Sequence, residues 1–209
     1  MTEEVLAYED LVEFMERNPS YERLIMHALE LVQTYAMRDV LAQELAAFKN
    51  KNCLQTPQQI LTLLVKYGAL DETLLVDGEP YEGTLEAFQE DETIPDDAEI
   101  TYELALTDFG KRAYKEFGPA AKIAKLFEDD AQSAPIYLKV LTFVDVEGGK
   151  LKSEIEAMLL ADDEAVKRNP RTNIPTIYPV YYTTALEDAG ALIWNGVWNL
   201  TEAGKAFLS

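Results

Sequence analysis

The chain has 209 residues, 48% of them apolar, enough for one large or two small domains with real cores. Its single cysteine, Cys53, excludes an internal disulfide framework and fits a reducing compartment. The formal net charge is −20, so the surface as a whole repels polyanions.

The start, Met1-Thr2-Glu3-Glu4, has neither the basic nor the apolar region of a secretory leader. No apolar run approaches the ~20 residues that a membrane span needs. The expectation is a cytoplasmic protein without membrane contact. The charge is unevenly spread. Residues 1–134 hold 11 Lys+Arg against 28 Asp+Glu, a net of −17. Residues 135–209 hold 7 against 10, a net of −3. Between Lys66 and Lys111 there is no base at all.

The first predicted helix runs from Val5 to Arg17, and Asn18-Pro19-Ser20 ends it. Tyr21 to Val32 follows, with Leu24, Ile25, Ala28, Leu29, Leu31 and Val32 near the 3.6-residue period. A third helix spans about Arg38 to Phe48. The fourth starts most clearly. Thr56 can cap it, Pro57 sits where a missing N–H costs nothing, and Gln59 can close a capping box. Its expected buried stripe is Ile60, Leu63, Leu64 and Tyr67, and Gly68 is the expected left-handed stop.

A strand is expected at Leu74-Leu75-Val76, a turn at Asp77-Gly78, and a second strand from Ile100 to Leu106, paired with the first as a hairpin. The acidic insert between them, residues 77–99, reads either as a mobile loop or as carrying a short amphipathic helix over Thr84–Glu90. Thr107 caps a fifth helix bearing Phe109, Ala113, Tyr114 and Phe117. Gly118-Pro119 breaks the chain, Ala120 to Asp129 is a short linking helix, and residues 130–135 are the expected domain boundary.

In the second half, Ile136 to Val144 is an apolar helix or a strand, and Leu151 to Leu160 is a helix. Residues 162–175 are polar and turn-rich, and Tyr178 to Ala189 is helical. Leu192 to Leu200 forms a hairpin around Asn195-Gly196, a strong short hairpin signal because both positions take positive φ. Thr201 caps the last helix, Glu202 to Leu208.

The two halves repeat one phrase. Pro57, Gly68, Ala69 and Leu70 return 122 positions on as Pro179, Gly190, Ala191 and Leu192. Leu106, Thr107, Gly110 and Lys111 return 94 positions on as Leu200, Thr201, Gly204 and Lys205, with Glu202 in place of Asp108. The first copy therefore carries 28 more residues between its strands, and a repeat of this kind governs the whole fold reading.

Three helices, a hairpin and a closing helix resemble the winged-helix (winged helix-turn-helix) proteins, in particular bacterial regulators. The resemblance rests on Gly68-Ala69-Leu70 with Leu106-Thr107-Asp108-Phe109-Gly110-Lys111, and on Gly190-Ala191-Leu192 with Leu200-Thr201-Glu202-Ala203-Gly204-Lys205. It covers about three-quarters of the chain. It implies an α+β, mostly α fold: an N-terminal helix over 1–18, a first winged helix over 19–118 with a long acidic wing insertion at about 77–99, a linking helix and linker over 119–134, and a second winged helix over 135–209.

In such regulators the third helix enters the major groove and the wing touches the minor groove or backbone. The first copy departs from this: Gln58, Gln59, Thr62 and Lys66 offer one base, and the wing is acidic. DNA contact is therefore expected through the second copy alone, with Lys167, Arg168, Arg171, Tyr178, Tyr181 and Thr184 as the candidates; Tyr182 and Thr183 are also read as decorating that helix. The competing reading makes the loop bases solvated surface and the tyrosines half-buried core. Tyr81, Leu85 and Phe88 of the insert are the candidate protein contacts.

Catalytic and cofactor chemistry is not expected. His27 is the lone histidine, on a helix beside core positions. Neither a metal nor a cofactor is anticipated, since one His and one Cys in separate elements make poor zinc ligands and the acid pairs Asp96-Asp97, Asp129-Asp130 and Asp162-Asp163 lack EF-hand spacing. The expected function is a non-enzymatic protein-interaction or regulatory module, its partner another protein or a second copy; the alternative is a DNA-binding transcription regulator, and an enzyme comes third.

Overall fold

A computed structural model describes residues 3–34, 36–48, 54–83, 87–88, 94–95, 97–166 and 177–209. The protein is mostly α-helical with small antiparallel sheets, and it divides into two compact units, Met1–Glu116 and Phe117–Ser209.

In the first unit, α1 (Glu3–Arg17) buries Leu11, Phe14 and Met15 and is part of the unit's core, not an appendage. The carboxylate of Glu116 accepts from the Tyr8 hydroxyl at 2.7 Å and from Arg112 Nε at 2.9 Å, tying α1 to the end of the unit. Then come α2 (Glu22–Leu31), α3 (Arg38–Phe48) and α4 (Pro57–Lys66). The capping box forms: Gln59 N donates to Thr56 Oγ1 at 3.2 Å, and Thr56 N donates to Gln59 Oε1 at 2.8 Å. Ile60, Leu61 and Leu64 are fully buried, whereas Leu63 and Tyr67 are half-buried; the core stripe is rotated by one position from the predicted one.

Strand β1 (Leu70–Val76) starts four residues earlier than its apolar run suggests. It is the middle strand of a three-stranded sheet ordered β2-β1-β3, with β2 at Glu79–Pro80 and β3 at Ile100–Leu106. The β1–β3 register runs from Leu70↔Leu106 to Val76↔Ile100, so the expected hairpin pairing is present. Asp77 and Gly78, both at positive φ, fold β2 back onto β1. Met37, between α2 and α3, makes a single antiparallel bridge to Glu103. Helix α5 (Asp108–Phe117) closes the unit.

The second unit begins with α6 (Pro119–Asp129), which packs against the next helix, α7 (Ala134–Val144), and against the last helix. The segment expected to be a linker, 119–134, is therefore part of this unit. The composition cue was misleading because Asp130 and Ser133 spend their polarity on hydrogen bonds inside the α6–α7 turn. Helix α7 (Ala134–Val144) resolves the helix-or-strand alternative: its buried positions Ile136, Tyr137, Val140, Leu141 and Val144 follow the helical period. Then follow α8 (Lys152–Leu160), the single turn α9 (Asp163–Val166), α10 (Pro179–Asp188), a β4 (Leu192–Trp194)/β5 (Trp198–Leu200) hairpin, and α11 (Glu202–Leu208). Lys150, just before α8, bridges to Trp198 as Met37 does to Glu103.

The sequence repeat is a repeat of atoms. Both α4 and α10 end on a left-handed glycine, Gly68 and Gly190. Ala69 N donates to Leu64 O and Ala191 N to Leu186 O, each at 2.8 Å. Thr107 Oγ1 donates to Gly68 O at 2.6 Å and accepts from Gly110 N at 3.0 Å. Thr201 Oγ1 does the same with Gly190 O and Gly204 N, at 2.6 and 3.0 Å. Each threonine thus clamps the end of one helix to the start of another.

Candidate functional site

The two copies of the fourth-helix motif can be compared position by position, because the repeat superposes their frameworks in sequence. In α4 the outer face is Gln58, Gln59, Thr62 and Lys66. Most of it is used internally. Gln59 closes the cap, and Arg38 reaches from α3 to donate to Thr62 Oγ1 at 2.6 Å and to pair with Glu72 of β1. Lys66 lies in the last turn, where a cation suits the negative helix end, and sits 5.6 Å from the Tyr67 ring.

In α10 the same positions are Val180, Tyr181, Thr184 and Asp188, and Tyr178 replaces Thr56. Tyr178, Val180 and Tyr181 are 58%, 49% and 46% exposed. Tyr178 makes no side-chain cap, and the last turn has no base. Helix α10 carries no Lys or Arg anywhere; its charges are Glu187 and Asp188.

Of the predicted DNA contacts, Tyr178, Tyr181 and Thr184 do share the outer face of α10, while Lys167, Arg168 and Arg171 lie outside the described residues. Tyr182 and Thr183, expected to decorate the helix, are buried instead; the Tyr182 hydroxyl donates to Ala165 O at 2.7 Å. They stand where α4 has the core residues Ile60 and Leu61, and a tyrosine and a threonine serve there because their hydroxyls find carbonyl partners at Ala165 and Val180.

A group that sequence reasoning passed over lies beside this face. Asp130 Oδ2 accepts from the hydroxyls of Tyr137 and Tyr181, each at 2.9 Å. Burial opposes the Asp130 charge, but the Ser133, Tyr137 and Tyr181 hydroxyls and the Ser133 backbone overcome it and hold its pKa below the usual carboxylate value. The same burial, with Tyr181 and Asp130 adjoining, pushes the Tyr137 phenol up. The consequence for the face is that Tyr181 is exposed yet held at its tip. The Asp130-x-x-Ser133-x-x-x-Tyr137 spacing, in a segment read as linker, was the available signal.

In the insert, Tyr81 is half-buried and meets Phe88 edge-on at 5.5 Å, while Leu85 lies outside the described residues. His27 stacks on Phe48 at 4.1 Å, with Nδ1 3.3 Å from Glu30. Asp129 pairs with Lys125, and Asp162 caps α9 through the Glu164 and Ala165 amides and pairs with Lys139. Among the described residues no three His, Cys, Asp or Glu are placed to hold a metal, and no helix is long and apolar enough to cross a membrane.

Apolar exposure is lopsided. Among the described residues, large apolar side chains exposed in the first unit are Val40, Leu54 and Ile100; ten more are exposed in the second. They include α10's outer face, Ile193 and Trp194 of the hairpin, and an open groove between α7 and α8 lined by Leu138, Phe143 and Met158. No protein-family model, curated protein or solved structure matches the chain.

Proposed function

We infer that the chain is a non-enzymatic tandem winged-helix protein whose second unit docks another protein through the outer face of α10. The winged-helix reading is supported by the order shared by both units, helix, one-residue bridge, two longer helices, hairpin and closing helix, the second unit adding the single turn α9 between its two longer helices. The observation that carries the docking reading is the set Tyr178, Val180 and Tyr181, exposed on a helix without a single base. Exposed tyrosines beside an aliphatic residue, one of them held at its tip by Asp130, are the material of protein interfaces, since they bury large area at little entropic cost. Phosphate recognition, by contrast, draws its affinity from Lys and Arg.

Two experiments test this. Fluorescence anisotropy with random duplex DNA at about 50 mM salt should show no binding at tens of micromolar. Affinity purification from the native cell should recover a partner with the wild type that Val180→Asp with Tyr181→Asp loses, the variant's circular dichroism being unchanged. Salt-sensitive DNA binding that Arg168→Glu with Arg171→Glu abolishes would replace this reading with the transcription regulator.

A further inference from the structure

Resting on that docking reading, we propose that what α10 receives is a basic segment of its partner, an Arg- or Lys-bearing stretch laid along Tyr178, Tyr181, Thr184 and Asp188. The chain carries its own comparison. The first copy of this helix shows what the framework favours in isolation: a Thr56–Gln59 capping box at one end and Lys66 at the other. The second copy abandons both. Its N-terminal pair is Tyr178 and Tyr181, which cap nothing, and its C-terminal residue is Asp188.

The change at the C-terminal end is opposite to what the helix dipole prefers. Glu187 and Asp188 put two carboxylates at the negative end of α10, and neither has an ion-pair partner among the described residues. Helix ends elsewhere in this unit place their acids beside a base, Asp129 with Lys125 at the end of α6 and Glu202 with Lys205 in α11, whereas the end of α10 has acids alone. An incoming cation relieves a repulsion that the fold itself leaves standing. At the other end, Asp130 lies against the Tyr181 ring's hydroxyl, so the exposed aromatic face is backed by negative charge. A guanidinium stacks on such a face better than an ammonium does. Acid at both ends with aromatic surface between them is complementary to a basic strand or helix, not to an acidic or purely apolar one.

The test uses the full chain and an arginine octamer as probe at 150 mM salt, with a lysine octamer alongside, read by isothermal titration. Tyr181→Gln and Asp188→Lys restore the residues of the first copy, so both variants fold if α4 is a guide; melting curves check this. Each should weaken the arginine octamer at least five-fold, and the wild type should prefer arginine to lysine. Glu79→Gln with Asp97→Asn, exposed acids of the first unit, should leave affinity unchanged. Equal loss in both sets, or loss in the Glu79/Asp97 variant alone, means that net charge holds the peptide and overturns the proposal. If the native partner still depends on Val180 and Tyr181 while the octamer ignores α10, docking stands and the basic chemistry falls; if neither depends on α10, both fall.

Discussion

Gly110 and Gly204 sit inside helices, where alanine is ordinarily more stable than glycine by about 1 kcal/mol. Here the order reverses, because a Cβ on Gly110 would lie 2.1 Å from Ala69 O, and one on Gly204 would lie 2.3 Å from Ala191 O. Those carbonyls are gripped by Thr107 and Thr201 and cannot retreat. Gly110→Ala and Gly204→Ala should each destabilise by about 1–3 kcal/mol, read from urea unfolding midpoints. A neutral result would mean that the two helix ends are not locked together. Asp130 acts through charge. Its folded pKa is depressed, so its contribution is present above its ordinary value of 3.8 and is lost as pH falls through the lower folded value. Asp130→Asn should therefore flatten the fall in stability at acid pH while costing stability at pH 7, measured by urea unfolding across that range.

The contrast between α4 and α10 belongs to the level of the element. A capping box and a C-terminal base each add to helix stability, and α10 has neither. Restoring them is expected to help the fold and harm the docking. Tyr178→Thr with Tyr181→Gln should stabilise the second unit by about 1 kcal/mol, and Asp188→Lys by about 0.3–1 kcal/mol. For a unit of this size the combined change should raise the melting midpoint by several degrees in a thermal scan. A lowered midpoint would mean that the tyrosines hold the unit together, and the functional reading of the face would lose its main support. The Asp130–Tyr181 hydrogen bond works against this gain and sets its upper limit.

Across the whole molecule, charge and apolar exposure are divided between the units. Residues 1–118 hold 9 Lys+Arg against 25 Asp+Glu, a net of −16; residues 119–209 hold 9 against 13, a net of −4. Self-repulsion falls on the first unit, and the Debye length shrinks from about 10 Å at 0.1 M salt to about 3 Å at 1 M. Cut at Gly118, the N-terminal fragment should gain stability as sodium chloride rises from 0.05 to 0.5 M, while the C-terminal fragment should change little; denaturant midpoints at each salt decide it. At alkaline pH the intact chain should lose stability above about 10, because burial raises Tyr8 and Tyr137 above their ordinary value of 10.0 and their neutral forms are the ones the fold holds.

Much of the framework was legible because short-range chemistry enforces it. Thr56, Pro57 and Gln59 cap a helix by local hydrogen bonds, Gly68 and Gly190 end helices by taking φ that other residues resist, and Asn195-Gly196 turns a hairpin. The repeated Leu-Thr-x-x-Gly phrase announced its own clamp, since threonine at a cap and glycine three residues later have one geometry in common. The sequence by itself therefore determined most of the helices, the main turns and the repeated phrase, but not the single turn α9 or the helical state of α7. It could not say which polar residues would meet at long range. That Asp130 would leave a linker-like segment to take the hydroxyls of Tyr137 and Tyr181, or that Tyr182 would turn inward while Tyr181 turned outward, depended on how α6, α7 and α10 pack. Tertiary structure alone decided that α10, equivalent to α4 in framework, presents an exposed aromatic and acidic face where α4 keeps a capped and tethered polar one. The reason is physical: caps and turns are closed by neighbours in sequence, whereas exposure is settled only after every other element has taken its place.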